Sequence, residues 1–165
     1  MSKKHTIIAT VTNRVGILAR VTGLLAQRGY NIESAIAAPT EDPDVYKITL
    51  VVKGNEEQIE QVTKQLNKLI DVIKVVDISH ENNYIVREYI IMKVNINRKN
   101  RSEVLELMNV FSARPLDVDN NTITMELSAR ARKIERLIAL MKPFGINEYV
   151  RSGEFAMTED PKRSS

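Results

Sequence analysis

Residues 13–38, NRVGILARVTGLLAQRGYNIESAIAA, constrain the fold more than any other stretch, because two of their three glycines, Gly16 and Gly29, punctuate them. After Gly16, the residues Ile17, Leu18, Val21, Leu24 and Leu25 recur at the spacing that places five side chains on one helix face. Gly16 therefore marks a helix start. Gly29 follows Gln27 and Arg28, where a left-handed residue stops a helix and a cation suits the negative end of its dipole. From Asn31 to Ala38 the pattern turns to alternation, with Ile32, Ile36 and Ala38 expected on one side, and Pro39 closes it. A helix N-terminus without a bulky neighbour exposes N–H groups and the positive end of the macrodipole, which together hold a carboxylate or phosphate. Gly16 serves either that purpose or close packing of the helix on a sheet, and spacing alone leaves both open.

The remaining elements follow from the same rules. Residues 6–12, TIIATVT, are β-branched and apolar and read as a largely buried strand. After the polar turn TEDPD, residues 45–53 alternate with Tyr46, Ile48, Leu50 and Val52 on one face, so a hairpin is expected. Asn55 and Gln58 form a capping-box pair for a helix over 56–69, with Ile59, Val62, Leu66 and Leu69 inward, and residues 72–78 complete a fourth strand. The order βαββαβ predicts an α+β, ferredoxin-like sandwich of four antiparallel strands with two helices on one face. The polar SHENN at 79–83 is the best boundary, and the same order recurs beyond it. There the pattern gives a strand at 85–96 and a helix at 102–112 with Val104, Leu105, Met108 and Phe111 inward. Strands at 116–119 and 122–128 flank a turn of Asn120 and Asn121, residues that tolerate positive φ. A helix at 130–142 and a strand near 147–151 complete the set. The expected organisation is a domain over 1–78, a linker at 79–84, a second ferredoxin-like domain over 85–157 and a frayed tail at 158–165.

Composition removes several classes of function. The 165 residues carry 24 basic and 21 acidic side chains, mixed along the chain, and a net +3 gives little reason to expect nucleic acid. The absence of cysteine excludes disulfides and thiolate metal sites and is compatible with a reducing cytoplasm. With no apolar run long enough for a signal peptide or a membrane span, a soluble, cytoplasmic protein is expected. His5 and His80, lacking a partner at ligand spacing, read as solvated surface residues, so no metal site is expected. Glu41, Asp42 and Asp44 are too few for a cation cage and read as a charged hairpin tip. Arg130, Arg132, Lys133 and Arg136 interleave with apolar residues and read as the wet face of an amphipathic helix. No Walker loop, dinucleotide fingerprint, nucleophile elbow or carboxylate pair is present, which leaves catalysis nothing to rest on. RNA-recognition motifs share the βαββαβ order, but they stack bases on strand aromatics, and TIIATVT has none.

RVTGLLAQRGYNIES, with VREYIIMKV opening the second half and GINEYVRSGEFAM near its end, resembles the regulatory, small subunit of acetohydroxyacid synthase (acetolactate synthase). In that family the N-terminal half is an ACT domain, and the resemblance covers nearly the whole chain. It implies a protein without catalytic activity that binds a large, thiamine-diphosphate-dependent catalytic subunit, raises its activity and confers feedback inhibition by valine. No cofactor is then expected on this chain, whereas thiamine diphosphate, Mg and FAD are expected on the catalytic subunit. The resemblance also implies a homodimer through the ACT domains, with valine between two of them. Carried across residue by residue, the loop asparagine is Asn13, the loop glycine Gly16 and the asparagine opening the second strand Asn31. Valine's carboxylate is expected on N–H groups near Gly16 and Ile17, and its ammonium on carbonyls or on amides such as Asn13 and Asn31. Asn31 and Ile32 are expected from the neighbouring subunit, with Val15 and Leu18 as the apolar wall. Thr12 stands where the family usually has an acidic residue, and Arg14 and Val15 replace smaller or acidic ones. These departures bear on the strength and specificity of valine binding. The alternative is a free-standing ACT-type sensor of another amino acid.

Overall fold

In the computed structural model, which describes residues 3–81 and 83–159, the elements run β1 (Lys3–Thr12), α1 (Ile17–Gln27), β2 (Asn31–Pro39), β3 (Val45–Gly54), α2 (Glu56–Leu66) and β4 (Val72–Asp77). They continue with β5 (Tyr84–Asn95), α3 (Arg101–Phe111), β6 (Arg114–Val118), β7 (Thr122–Ala129), α4 (Ala131–Met141), a 3-10 turn (Lys142–Phe144) and β8 (Ile146–Thr158). Two four-stranded sheets form, in the orders β2-β3-β1-β4 and β6-β7-β5-β8, so the βαββαβ arrangement occurs twice, as the α+β reading expected. By its packing the chain divides into two units, Met1–Val86 with Gly153–Ser165, and Arg87–Ser152. Of the tail expected at 158–165, residues 160–165 lie outside the described residues.

In the first unit one face of the sheet is sealed by α1 and α2. Ile7, Ala9 and Val11 of β1 and Ile48, Leu50 and Val52 of β3 meet Val21 and Leu25 of α1 and Ile59, Val62 and Leu66 of α2. Each of the larger side chains contributes about 1.5–3 kcal/mol by leaving water. Local chemistry fixes the helix ends. Asn55 and Gln58 close the expected capping box, each side chain bonding the other's backbone N–H at 2.8–2.9 Å. Gly29, at φ 73°, ends α1 with N–H groups of Gly29 and Tyr30 reaching back to the carbonyls of Ala26 and Leu25.

Several expectations are corrected. β1 begins at Lys3 rather than residue 6, which carries His5 onto the core face beside Ile7, and His5 is 1% exposed rather than solvated. A register shift between Ile32 and Ser34 breaks the period of two in β2. Ile32 therefore opposes Val52 and packs on the helix-covered core, whereas Ile36 opposes Thr49 on the other face. Leu18 and Leu105 each sit one helical step beyond the buried stripe and are partly exposed. α2 stops at Leu66, after which the chain tightens into 3-10-type bonds from Lys68 and Leu69 to Gln65 and Leu66. Neither Asn120 nor Asn121 takes a positive φ; among the described non-glycine residues only Ser112 does.

The second unit repeats the layering, with Ile90, Met92, Val94, Ile123, Met125 and Leu127 of the sheet against Val104, Met108, Ile134, Leu137 and Met141 of the helices. At its rim Arg151 grips the buried carboxylate of Glu88 through two hydrogen bonds of 2.6 and 2.7 Å. The basic residues of α4 face solvent and its Ile134, Leu137, Ile138 and Met141 are buried, as the amphipathic reading expected.

β8 runs on to Thr158 instead of ending at residue 151, because Gly153 serves as a point of close approach and does not break the strand. Residues 153–158 belong to the first unit, where Thr6 donates to Glu154 at 2.9 Å. Gly153 has φ +82°, and a Cβ there would stand 2.8 Å from Ser34 Cβ. Gly153→Ala is therefore expected to cost about 1–3 kcal/mol, read as a lowered thermal unfolding midpoint. An unchanged midpoint would contradict this packing.

Candidate effector site

The loop after β1 is tied down on both sides. On one side the Asn13 N–H donates to the carbonyl of Asp44 at 2.8 Å and its side-chain amide to that of Pro43 at 3.2 Å. On the other, Thr12 N–H donates to the Asp71 carbonyl at 2.8 Å. The Asp71 carboxylate then collects Arg20 Nη1 at 2.6 Å, Arg14 Nε at 3.4 Å and Thr12 Oγ1 at 3.3 Å. Asp71 is 4% exposed, while both arginines reach solvent.

The loop delivers the chain to α1 through Gly16, at φ +82°. A Cβ built on Gly16 meets nothing within 4 Å among the described residues, so close packing of the helix on the sheet is not what this glycine serves. Its positive φ and the open space before the helix are what remain of the two readings. No side chain caps α1 and no acidic residue lies in its first turn. The Ile17 N–H bonds the Arg14 carbonyl at 3.1 Å, and Arg20 N–H bonds the Gly16 carbonyl at 3.0 Å. By helix geometry the N–H groups of Leu18 and Ala19 between them have no acceptor within the helix. Two guanidinium groups share one carboxylate, which leaves excess positive charge beside this helix N-terminus and suits an anion.

The expected site residues fall into two groups. Asn13, Val15, Gly16 and Leu18 surround the helix start, with Val15 99% exposed. The Ile17 side chain is buried in the core, so only its backbone belongs to this surface. Asn31 is exposed at the start of the edge strand β2, and Ile32 packs against its own core. The register separates the groups: Thr12 pairs with Val45 and Asn31 with Lys53, eight residues farther along β3. At about 3.3 Å per residue that is roughly 26 Å, so a single chain does not bring Asn31 to the loop.

Asp71 was missed by sequence reasoning. Its one signal is an acidic residue set between Ile70 and Val72 at the entrance to a strand. Asp71→Asn keeps the size of the side chain but removes the charge that both arginines share. Because those partners are exposed, the expected loss is only about 1–3 kcal/mol, together with faster amide exchange at residues 14–16. Wild-type exchange in that loop would show that Asp71 does not hold it.

Nearly the whole chain is similar to known proteins. One family model, described as AHAS small subunit-like ACT domain, matches residues 7–74. A second, described as small subunit of acetolactate synthase, matches residues 87–160. A probable acetolactate synthase small subunit of Archaeoglobus fulgidus is 41% identical over 160 residues, covering 97% of this chain and 99% of the relative. The acetolactate synthase small subunit of Bacillus subtilis is 42% identical over 165 residues, 98% of this chain and 95% of the relative. Among solved structures, the acetolactate synthase small subunit from Thermotoga maritima superposes with a TM-score of 0.86 at 30% identity, covering 95% of this chain and 98% of that one. Among the described residues no helix is long and apolar enough to cross a membrane. On these grounds the chain belongs to the acetolactate synthase small-subunit family.

Proposed function

We propose that this chain is the non-catalytic regulatory subunit that activates a thiamine-diphosphate-dependent acetohydroxyacid synthase catalytic subunit and makes it responsive to valine. The observation that carries the reading is the loop at residues 13–16, which leads through an open glycine into an uncapped helix with arginines on either side. An amino acid's carboxylate fits the first-turn N–H groups of α1, and Val15 and Leu18 offer apolar surface for an isopropyl group. The ammonium takes oxygens of Asn13 and, from a second copy, Asn31. The register supports that division between copies, since it keeps Asn31 at the far end of the sheet in each chain.

In this reading the ACT domains form a homodimer, and valine stabilises one of its arrangements. The catalytic subunit, carrying thiamine diphosphate, Mg and FAD, prefers another, and the two meet in the cytoplasm. A coupling of about 1–3 kcal/mol changes activity roughly 5- to 150-fold. The apolar wall separates valine from leucine only modestly, since one methylene is worth about 1–3 kcal/mol.

Acetolactate formation by the catalytic subunit of the same organism, with and without this chain and across a valine titration, tests the reading. Stimulation reversed by valine is expected. Gly16→Asp places a carboxylate where one must bind, in a residue type that tolerates left-handed backbone. It is expected to abolish valine inhibition and to keep the stimulation. Full valine sensitivity in that variant would displace the site. Amino-acid binding with no effect on acetolactate formation would favour the free-standing sensor.

A further inference from the structure

The buried His5 has one nitrogen engaged and one left over. Nδ1 lies 3.1 Å from the Asp77 carboxylate, which accepts its proton, so the lone pair resides on Nε2. Nε2 is buried and, among the described residues, has no hydrogen-bond partner. A buried polar atom left in that state is costly, which calls for a reason.

Two further groups converge on this imidazole from distant parts of the first unit. Glu56 opens α2, and His80 lies in the connector between β4 and β5. The rings of His5 and His80 meet edge to face with centroids 5.9 Å apart, and His80 Nε2 stands 3.0 Å from Glu56 Oε1. One ligand-capable atom from each of the three lies within 4.8 Å of the others. The connector is held in place to present His80. Ile78 N–H donates to the Thr6 carbonyl at 2.9 Å, and Thr6 N–H donates to Ser79 Oγ at 2.8 Å. The Ser79 N–H in turn donates to Asp77 Oδ1 at 3.0 Å.

We propose that His5 Nε2, His80 and Glu56 bind a divalent transition-metal ion of the zinc class. Asp77 is the positioning residue, fixing the His5 tautomer and ring as a carboxylate behind a ligating histidine does. Two imidazoles and one carboxylate suit zinc, cobalt or nickel rather than the all-oxygen preferences of magnesium and calcium. A tetrahedral ion with bonds near 2.0–2.1 Å places its ligand atoms roughly 3.3 Å apart. Glu56 and His80, both more than half exposed, have the freedom to close to that spacing around the fixed His5. The ion ties β1, α2 and the connector together at the end of the sheet where His5 and Ile32 both pair with Val52, next to Asn31.

The test uses the full chain, stripped with chelator and titrated with Co²⁺, followed by visible absorption, and with Zn²⁺ by calorimetry. One ion per chain is expected, with the intense absorption of four-coordinate Co²⁺ and a raised unfolding temperature. His80→Ala and Glu56→Gln lie at exposed positions that keep the fold, and each is expected to weaken binding roughly tenfold or more. Asp77→Asn is expected to weaken it by about 10- to 100-fold. Absence of saturable binding at one equivalent overturns the proposal. So does wild-type affinity in both the His80→Ala and Glu56→Gln proteins.

Discussion

The loop that makes this chain more than a sandwich of strands and helices depends on the buried carboxylate of Asp71. It sits under the end of β1, accepts from Thr12, and anchors Arg14 and Arg20 on either side of the helix start. Without it the two guanidinium groups would repel each other across an uncapped, electropositive helix end. With it, their charge is partly balanced and their geometry set, and the surplus remains positive. The hydrogen bonds from Asn13 to Pro43 and Asp44 fix the loop from the opposite side. The open space before α1 is thus held by contacts from both neighbouring turns and owes nothing to the ligand that would fill it.

Strand register then restricts how a complete site is made. β1 and β2 both pair with β3, so the loop at the end of β1 and Asn31 at the start of β2 are assigned to opposite ends of one sheet. Rotamer changes in side chains of a few ångströms' reach do not span that distance. If both contact one small ligand, two copies of the chain must be involved. Binding is then linked to association, and a ligand that favours one arrangement of copies acts on anything that contacts the pair.

Much of the fold was legible because its signals are local. Gly29 as a helix stop, Asn55 with Gln58 as a capping box, and the alternation of Ile48, Leu50 and Val52 each act within a few residues. What escaped depends on partners far away in sequence. His5 and His80 look like isolated surface residues, yet 75 positions of chain fold back to place their rings edge to face. The shift in β2 is set by pairing with β3, and no period-two reading of Ile32 and Ile36 detects an extra residue. The strand expected near 147–151 runs on past Gly153, whose close approach to Ser34 no local pattern announces. At the candidate loop Asn13 and Gly16 were visible, and the Asp71 carboxylate that holds Thr12, Arg14 and Arg20 beside them was not.

The most direct test of the central claim, that the effector site is shared between copies, is valine binding to mixed dimers of Gly16→Asp and Asn31→Ala chains. Each variant alone is expected to lose binding, since every site in its homodimer carries one lesion. In the mixed dimer both lesions fall in one site and leave the other intact, so binding of one valine per two chains is expected to return. If both residues serve a site within one chain, no mixture restores binding, and that result would contradict the account.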